Sequence, residues 1–122
     1  MLERPEAILR QANAAIADGD IEGFLRHCTD DIRWTTVGES TLEGKDAVRR
    51  WMAVAYAPPP DFTVTRLIAD ADHVVALGEL KDSDDKGAPT TRTYCDVWRF
   101  RDGKMAELQA FVKERLAPYK YP

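Results

Sequence analysis

The triplet Pro58-Pro59-Pro60 divides the chain into two stretches of different periodicity, and that division sets the class of fold. Proline lacks a backbone donor and clashes with a preceding helical turn, so neither a helix nor a central strand runs through three in succession. Before the triplet, apolar residues recur at helical spacing. From Pro5 to Asp18, the side chains of Ile8, Leu9, Ala12, Ala15 and Ile16 share one face. Pro5 suits a first helical position and Glu6 complements the positive end of the helix dipole. Gly19 reads as the stop, and Asp20 as the N-cap of a second helix with Ile21, Phe24, Leu25 and Cys28 at i, i+3, i+4 and i+7. A third helix runs from about Lys45 to Ala57, its stripe formed by Val48, Trp51, Met52, Ala55 and Tyr56.

After the triplet the pattern is that of strands: Phe62 to Ala69, His73 to Lys81, Thr91 to Arg101 and Lys104 to Val112. One more short strand, Ile32 to Val37, lies between the second and third helices and leads into a loop at Gly38. Helices first and an antiparallel meander afterwards predict an α+β domain, three helices packed on one side of a curved, mostly antiparallel sheet. No repeat or interior linker divides the chain, so residues 1–122 read as one domain.

Asp102-Gly103 is a two-residue hairpin signal, and it predicts a register for the last two strands. A regular ladder pairs Phe100 with Met105, Trp98 with Glu107, Asp96 with Gln109 and Tyr94 with Phe111. The other face then carries Arg99 with Ala106, Val97 with Leu108, Cys95 with Ala110, and Thr93 with Val112. The small, apolar second face suits an interior, extended on the neighbouring strand by Ala76 and Gly78. The aromatic, half-polar first face (Tyr94, Asp96, Trp98, Gln109, Phe111) suits a homodimer interface. On this register Asp96 is an outer-surface carboxylate opposite Gln109, and Glu79 is outer surface as well.

Composition removes several function classes. The 122 residues are 44% hydrophobic and 31% charged, a globular balance. A net charge of −4 with no basic stripe gives no expectation of nucleic acid, and no basic amphipathic helix points to a membrane surface. Cys28 and Cys95 lack disulfide-framework or metal-ligand spacing, so neither metal nor cofactor is expected. The start, Met1 to Glu6, lacks the apolar core of a signal peptide, which predicts a reducing, cytoplasmic setting.

Three stretches occur in an order that resembles a known superfamily. They are Ile16-Ala17-Asp18-Gly19-Asp20-Ile21-Glu22, Asp30-Asp31 before a strand, and Leu42-Glu43-Gly44-Lys45-Asp46-Ala47-Val48. With Asp96-Val97-Trp98-Arg99-Phe100-Arg101-Asp102-Gly103-Lys104-Met105 they look like the NTF2-like (cystatin-like) superfamily, in its SnoaL-like and ketosteroid isomerase-like branch. The resemblance implies a cone-shaped α+β barrel with an apolar pocket at its open end. It also implies where acids and bases would stand. The general-base Asp of the isomerases falls at Thr36, their tyrosine donor near Ala12 and their protonated Asp donor near Thr93. The Asp of the related hydrolases and cyclases falls near Ala110. None of these four residues can act as a carboxylate base or a strong donor.

Candidate ligand contacts are Trp34 and Thr36 on the first strand, Phe24 and Cys28 on the second helix, and Trp51 and Met52 on the third. Thr93, Cys95, Leu108 and Ala110 join them on the small face of the last hairpin. Aromatic walls are common in apolar binding sites. His27 is the one side chain near the helices with a pKa suited to acid–base work, although it flanks the apolar stripe. The function this predicts is a pocket protein for a hydrophobic carbonyl or polycyclic ligand, acting as an isomerase, cyclase or hydrolase. A non-catalytic carrier and a dimerising scaffold are the alternatives, because fold analogy alone does not carry chemistry.

Overall fold

The computed structural model describes residues 3–114. The elements run α1 (Pro5–Ala17), α2 (Ile21–Leu25), β1 (Cys28–Thr36), β2 (Ser40–Glu43), α3 (Lys45–Ala55), β3 (Asp61–Asp70), β4 (His73–Ser83), β5 (Pro89–Arg101) and β6 (Lys104–Glu114). The six strands form one sheet in the order β2-β1-β6-β5-β4-β3. Every pairing is antiparallel except β1 with β6. The sheet ends on free edges at β2 and β3, so the expected barrel is an open, curved sheet and not a closed one. The tail of the expected single domain, residues 115–122, and its first two residues lie outside the described residues.

Local signals form α1 as read: Pro5 opens it, Glu6 lies in its first turn, and Ile8, Leu9 and Ala12 are buried. The Asp20 side chain caps α2 by accepting from the Gly23 N–H at 2.9 Å. That helix ends at Leu25, earlier than its apolar spacing suggests. Cys28 opens β1 instead, because the Met105 N–H donates to the His27 carbonyl and Cys28 pairs with Met105 on β6. Tertiary pairing here overrides a helical pattern. β2, which follows the expected loop at Gly38, is drawn into the sheet by pairing with β1, Trp34 with Leu42 among the partners.

The core lies between the helices and the sheet's inner face. Leu9, Phe24, Leu25, Ile32, Val48, Met52, Val74, Met105 and Leu108 are its largest wholly buried members. No helix among the described residues is long and apolar enough to cross a membrane.

The last hairpin turns where expected, with Asp102 at φ +52° and Gly103 at +77°, as a type I′ turn requires. Phe100 pairs with Met105, as the regular ladder predicts. A bulge then intervenes between Arg99 and Phe100, and Arg99 pairs with Glu107, leaving Ala106 as the extra residue. One extra residue moves every later β6 side chain to the other face. Trp98 therefore opposes Leu108, Asp96 opposes Ala110, and Tyr94 opposes Val112. The expected faces of β5 are exchanged: Tyr94, Asp96 and Trp98 point inward, while Thr93, Cys95 and Val97 share the outer face with Gln109 and Phe111.

Gly78 is fixed by a neighbour. A Cβ there would overlap the Thr63 carbonyl oxygen and the end of the Tyr94 phenol, which lies across this position. Gly78→Ala is expected to cost about 1–3 kcal/mol by forcing backbone and ring apart. Urea denaturation measures it, and a neutral result would mean that Tyr94 does not lie over Gly78.

Candidate functional site

Inward residues of neighbouring strands fall in rows across the sheet. One row reads Trp34, Leu108, Trp98, Val74 on β1, β6, β5 and β4. The next reads Thr36, Ala110, Asp96, Ala76. Asp96 thus stands between two alanines, and their missing bulk opens space on both sides of its carboxyl. Beyond it, Tyr94 stands beside Gly78, and Arg92 beside Leu80.

That space is part of a cavity of about 700 Å³ between the inner face of the sheet, the end of α3 and the Pro58–Pro60 segment. The volume suits a drug-sized organic ligand. Trp34, Trp98 and Leu108 line its floor, and Trp51, Tyr56 and Ile16 its helical wall. The rings touch in sequence at steep angles: Trp34–Trp98 centroids are 5.7 Å apart at 90°, Trp34–Trp51 5.4 Å at 51°, and Trp51–Tyr56 5.0 Å at 66°. The mouth is polar, with Glu39, Asp61, Lys81 and a paired Asp82 and Arg92.

Burial pushes the Asp96 carboxyl up to about 7, and no cation offsets that cost. Burial also raises the Tyr94 phenol to about 12 and lifts Tyr56 further, each with the Asp96 charge as a second cause. The cavity therefore holds one group that exchanges a proton near neutral pH and two phenols that stay protonated. Among the described residues no cluster of three or more His, Cys, Asp or Glu could hold a metal ion.

The structure brings together five of the ten expected ligand contacts: Trp34, Thr36, Trp51, Leu108 and Ala110 line the cavity. Phe24, Cys28 and Met52 are wholly buried in the core instead. Phe24 packs edge-on to Trp34 at 6.0 Å, and Cys28, its thiol pushed to about 12 by burial, donates to the Phe24 carbonyl at 3.7 Å. Thr93 and Cys95 fall in a shallow groove on the opposite face of the sheet, because the bulge exchanged the faces of β5. His27 is half-buried just beyond α2 and is not among the residues lining the cavity.

Of the five residues expected at a dimer interface, Tyr94, Asp96 and Trp98 line the cavity; Gln109 and Phe111 remain exposed. The strand that carries Thr93 also carries Asp96, three residues further on, and Asp96 lines the cavity. Tyr56, Tyr94 and Asp96 line the cavity without having been expected there. The signal for Asp96 and Tyr94 was the β4 neighbour row, Ala76 and Gly78, which is inward and pairs with them directly.

The sequence profile of the SnoaL-like domain matches residues 9–108, and the chain belongs to that family. Solved structures share its fold. A candidate ketosteroid isomerase from Kribbella flavida DSM 17836 superposes with a TM-score of 0.82 at 20% identity, over 98% of this chain and 85% of that one. The epoxide hydrolase/cyclase-like enzyme SalBIII, with a role in pyran ring formation in the polyether salinomycin, gives 0.79 at 17% identity over 88% and 89%. An NTF2-like protein of unknown function from Burkholderia pseudomallei K96243 gives 0.77 at 21% identity over 89% and 90%. These identities show a shared fold and leave the reaction open. No curated protein sequence matches the chain significantly.

Proposed function

We propose that the protein is a small-molecule enzyme of isomerase, cyclase or hydrolase type, acting on a hydrophobic carbonyl or polycyclic ligand with Asp96 as its acid–base group. The observation that carries this reading is the Asp96 carboxyl, raised to about 7, in an aromatic-walled cavity of ligand size. Its neutral form donates to a ligand oxygen, and its ionised form takes a proton from carbon or oxygen. The Tyr56 and Tyr94 phenols serve only as hydrogen-bond donors at neutral pH, stabilising negative charge as it develops on that oxygen. With Thr36 where the isomerases of this branch keep a base, one carboxyl has to perform both proton steps. The cyclase-like neighbour SalBIII and the isomerase-like Kribbella protein support a pocket that can host such chemistry.

A thermal-shift screen of flat apolar carbonyl compounds and polycyclic aromatics tests this, with Ala110→Trp as the filled-cavity control. A compound at 100 times its dissociation constant adds about 2.7 kcal/mol of apparent stability, and only to the unmodified protein. Hits are then assayed for turnover, where Asp96→Asn should lose about 100-fold or more of the rate. Hits without turnover would leave a carrier, and no hit at all would remove the pocket reading.

We also propose a homodimer through the outer face of the sheet, on a surface revised by the bulge. Leu77, Cys95, Val97 and Phe111 give it an apolar centre, continued by Val37, and Phe111 and Val37 are 44% and 45% exposed. Arg99, Glu107, Glu79 and Lys113 supply a rim of both signs, as two-fold self-pairing needs. Sedimentation at micromolar concentration should show a dimer that Phe111→Asp converts to monomer. A monomeric unmodified protein would sink the proposal.

A further inference from the structure

Once ionised, Asp96 is a half-buried anion that forms no salt bridge among the described residues. The groups facing it from each packed element can be named. β4 and β6 present Ala76 and Ala110, β1 presents Thr36, and the end of α3 presents the Tyr56 phenol. Along β5 itself stand Trp98 and Tyr94, with Arg92 further out and committed to Asp82. Lys81, Asp61 and Glu39 stand at the mouth. Burial is the cause that shifts the carboxyl, and Arg92 is held by Asp82.

The cavity that Asp96 lines is also lined by electron-rich rings, Trp34, Trp51, Tyr56 and Trp98, inclined steeply to one another. Such rings attract a cation and disfavour an anion over their faces. We propose that, with Asp96 ionised, the cavity is a binding site for an alkylammonium cation, the carboxylate supplying the counter-charge and the surrounding rings a cation–π enclosure. This goes beyond the catalytic reading, because the neutral and ionised states of one carboxyl then select different ligand classes. Neutral Asp96 serves a ligand oxygen; ionised Asp96 serves an ammonium.

The test compares phenyltrimethylammonium, whose charge does not titrate, with its neutral carbon isostere tert-butylbenzene, by tryptophan fluorescence at pH 5.5 and 8.5. A carboxyl with a midpoint of about 7 is roughly 3% ionised at the lower pH and 97% at the higher. Affinity for the cation should therefore rise about 30-fold between them, while the isostere stays level and Asp96→Asn abolishes the rise. Calorimetry of the unmodified protein at pH 7 gives an independent readout. Binding of the cation should release about half a proton, and binding of the isostere none. If tert-butylbenzene binds and the cation does not, the ammonium site is overturned and the apolar pocket stands. If neither binds at either pH, the ammonium site is overturned, while the catalytic reading stands or falls on the screen of carbonyl and polycyclic compounds.

Discussion

Asp96→Asn is expected to stabilise the protein at alkaline pH and to leave it nearly unchanged near pH 4. The folded state holds the Asp96 proton up to a pH of about 7, whereas an unfolded chain releases it near 4. Between those values the native state binds one proton more than the unfolded state, so the unfolding free energy falls as pH rises. Raising a carboxyl from near 4 to about 7 corresponds to about 4 kcal/mol, lost progressively across that pH range. Asparagine keeps the shape and has no charge to desolvate, so the variant escapes that loss. For a chain of this size each kcal/mol moves the melting temperature by roughly 3–5 °C, and the variant should melt more than roughly 10 °C higher at pH 8.5.

Other carboxyls act in the opposite direction and at lower pH. Asp31, hydrogen-bonded by Arg101, and Glu22, hydrogen-bonded by Arg49, are held below their ordinary values, so their contributions are lost only as pH falls through the acid range. The difference between the unmodified protein and Asp96→Asn cancels those contributions. Parallel melting curves from pH 4 to 8.5 would show that Asp96 meets water and is no acid–base group. The sign also bears on function. A charge that costs the fold several kcal/mol is retained in natural sites where it works on a ligand.

What the sequence made legible was set by local chemistry, and what it hid was set by one residue. α1 followed from its apolar stripe, the N-terminus of α2 from Asp20, and the final turn from Asp102-Gly103, since each signal acts within a few residues. The aromatic walls were legible for the same reason: Trp51 lies on a helical stripe, and Trp34 on an alternating strand. The inward facing of Asp96 was hidden because facing in a strand depends on register, and register depends on the whole ladder. Ala106, a small buried residue with no turn signature, carries the bulge that exchanged the two faces of β5. The opposite neighbour carried the corrective information. Ala76 and Gly78 on β4 are inward, small, and directly paired with Asp96 and Tyr94. A long side chain between small ones, rather than its own neighbours in sequence, was the readable mark of the site.

Trp34→Ala should be the most damaging single substitution of a cavity-lining residue, at about 3–5 kcal/mol. Trp34 is only 5% exposed and is the ring through which core and cavity meet. It packs on Phe24, Trp98 and Trp51 at once, and pairs across the sheet with Leu42 and Leu108. Its removal forfeits buried apolar area and three ring contacts, each worth about 0.5–1.5 kcal/mol beyond area alone. The void left behind joins the existing cavity, so neighbouring side chains cannot collapse into it from the ligand side. Trp34→Phe keeps part of the stack and should cost less than half as much. Trp51→Ala, at the half-buried rim of the same stack, should cost less than Trp34→Ala and weaken ligand binding more than stability. Urea unfolding of the three variants orders them. A Trp34→Ala cost below about 1 kcal/mol would mean that the ring is a replaceable pocket wall, and that the core ends at Phe24.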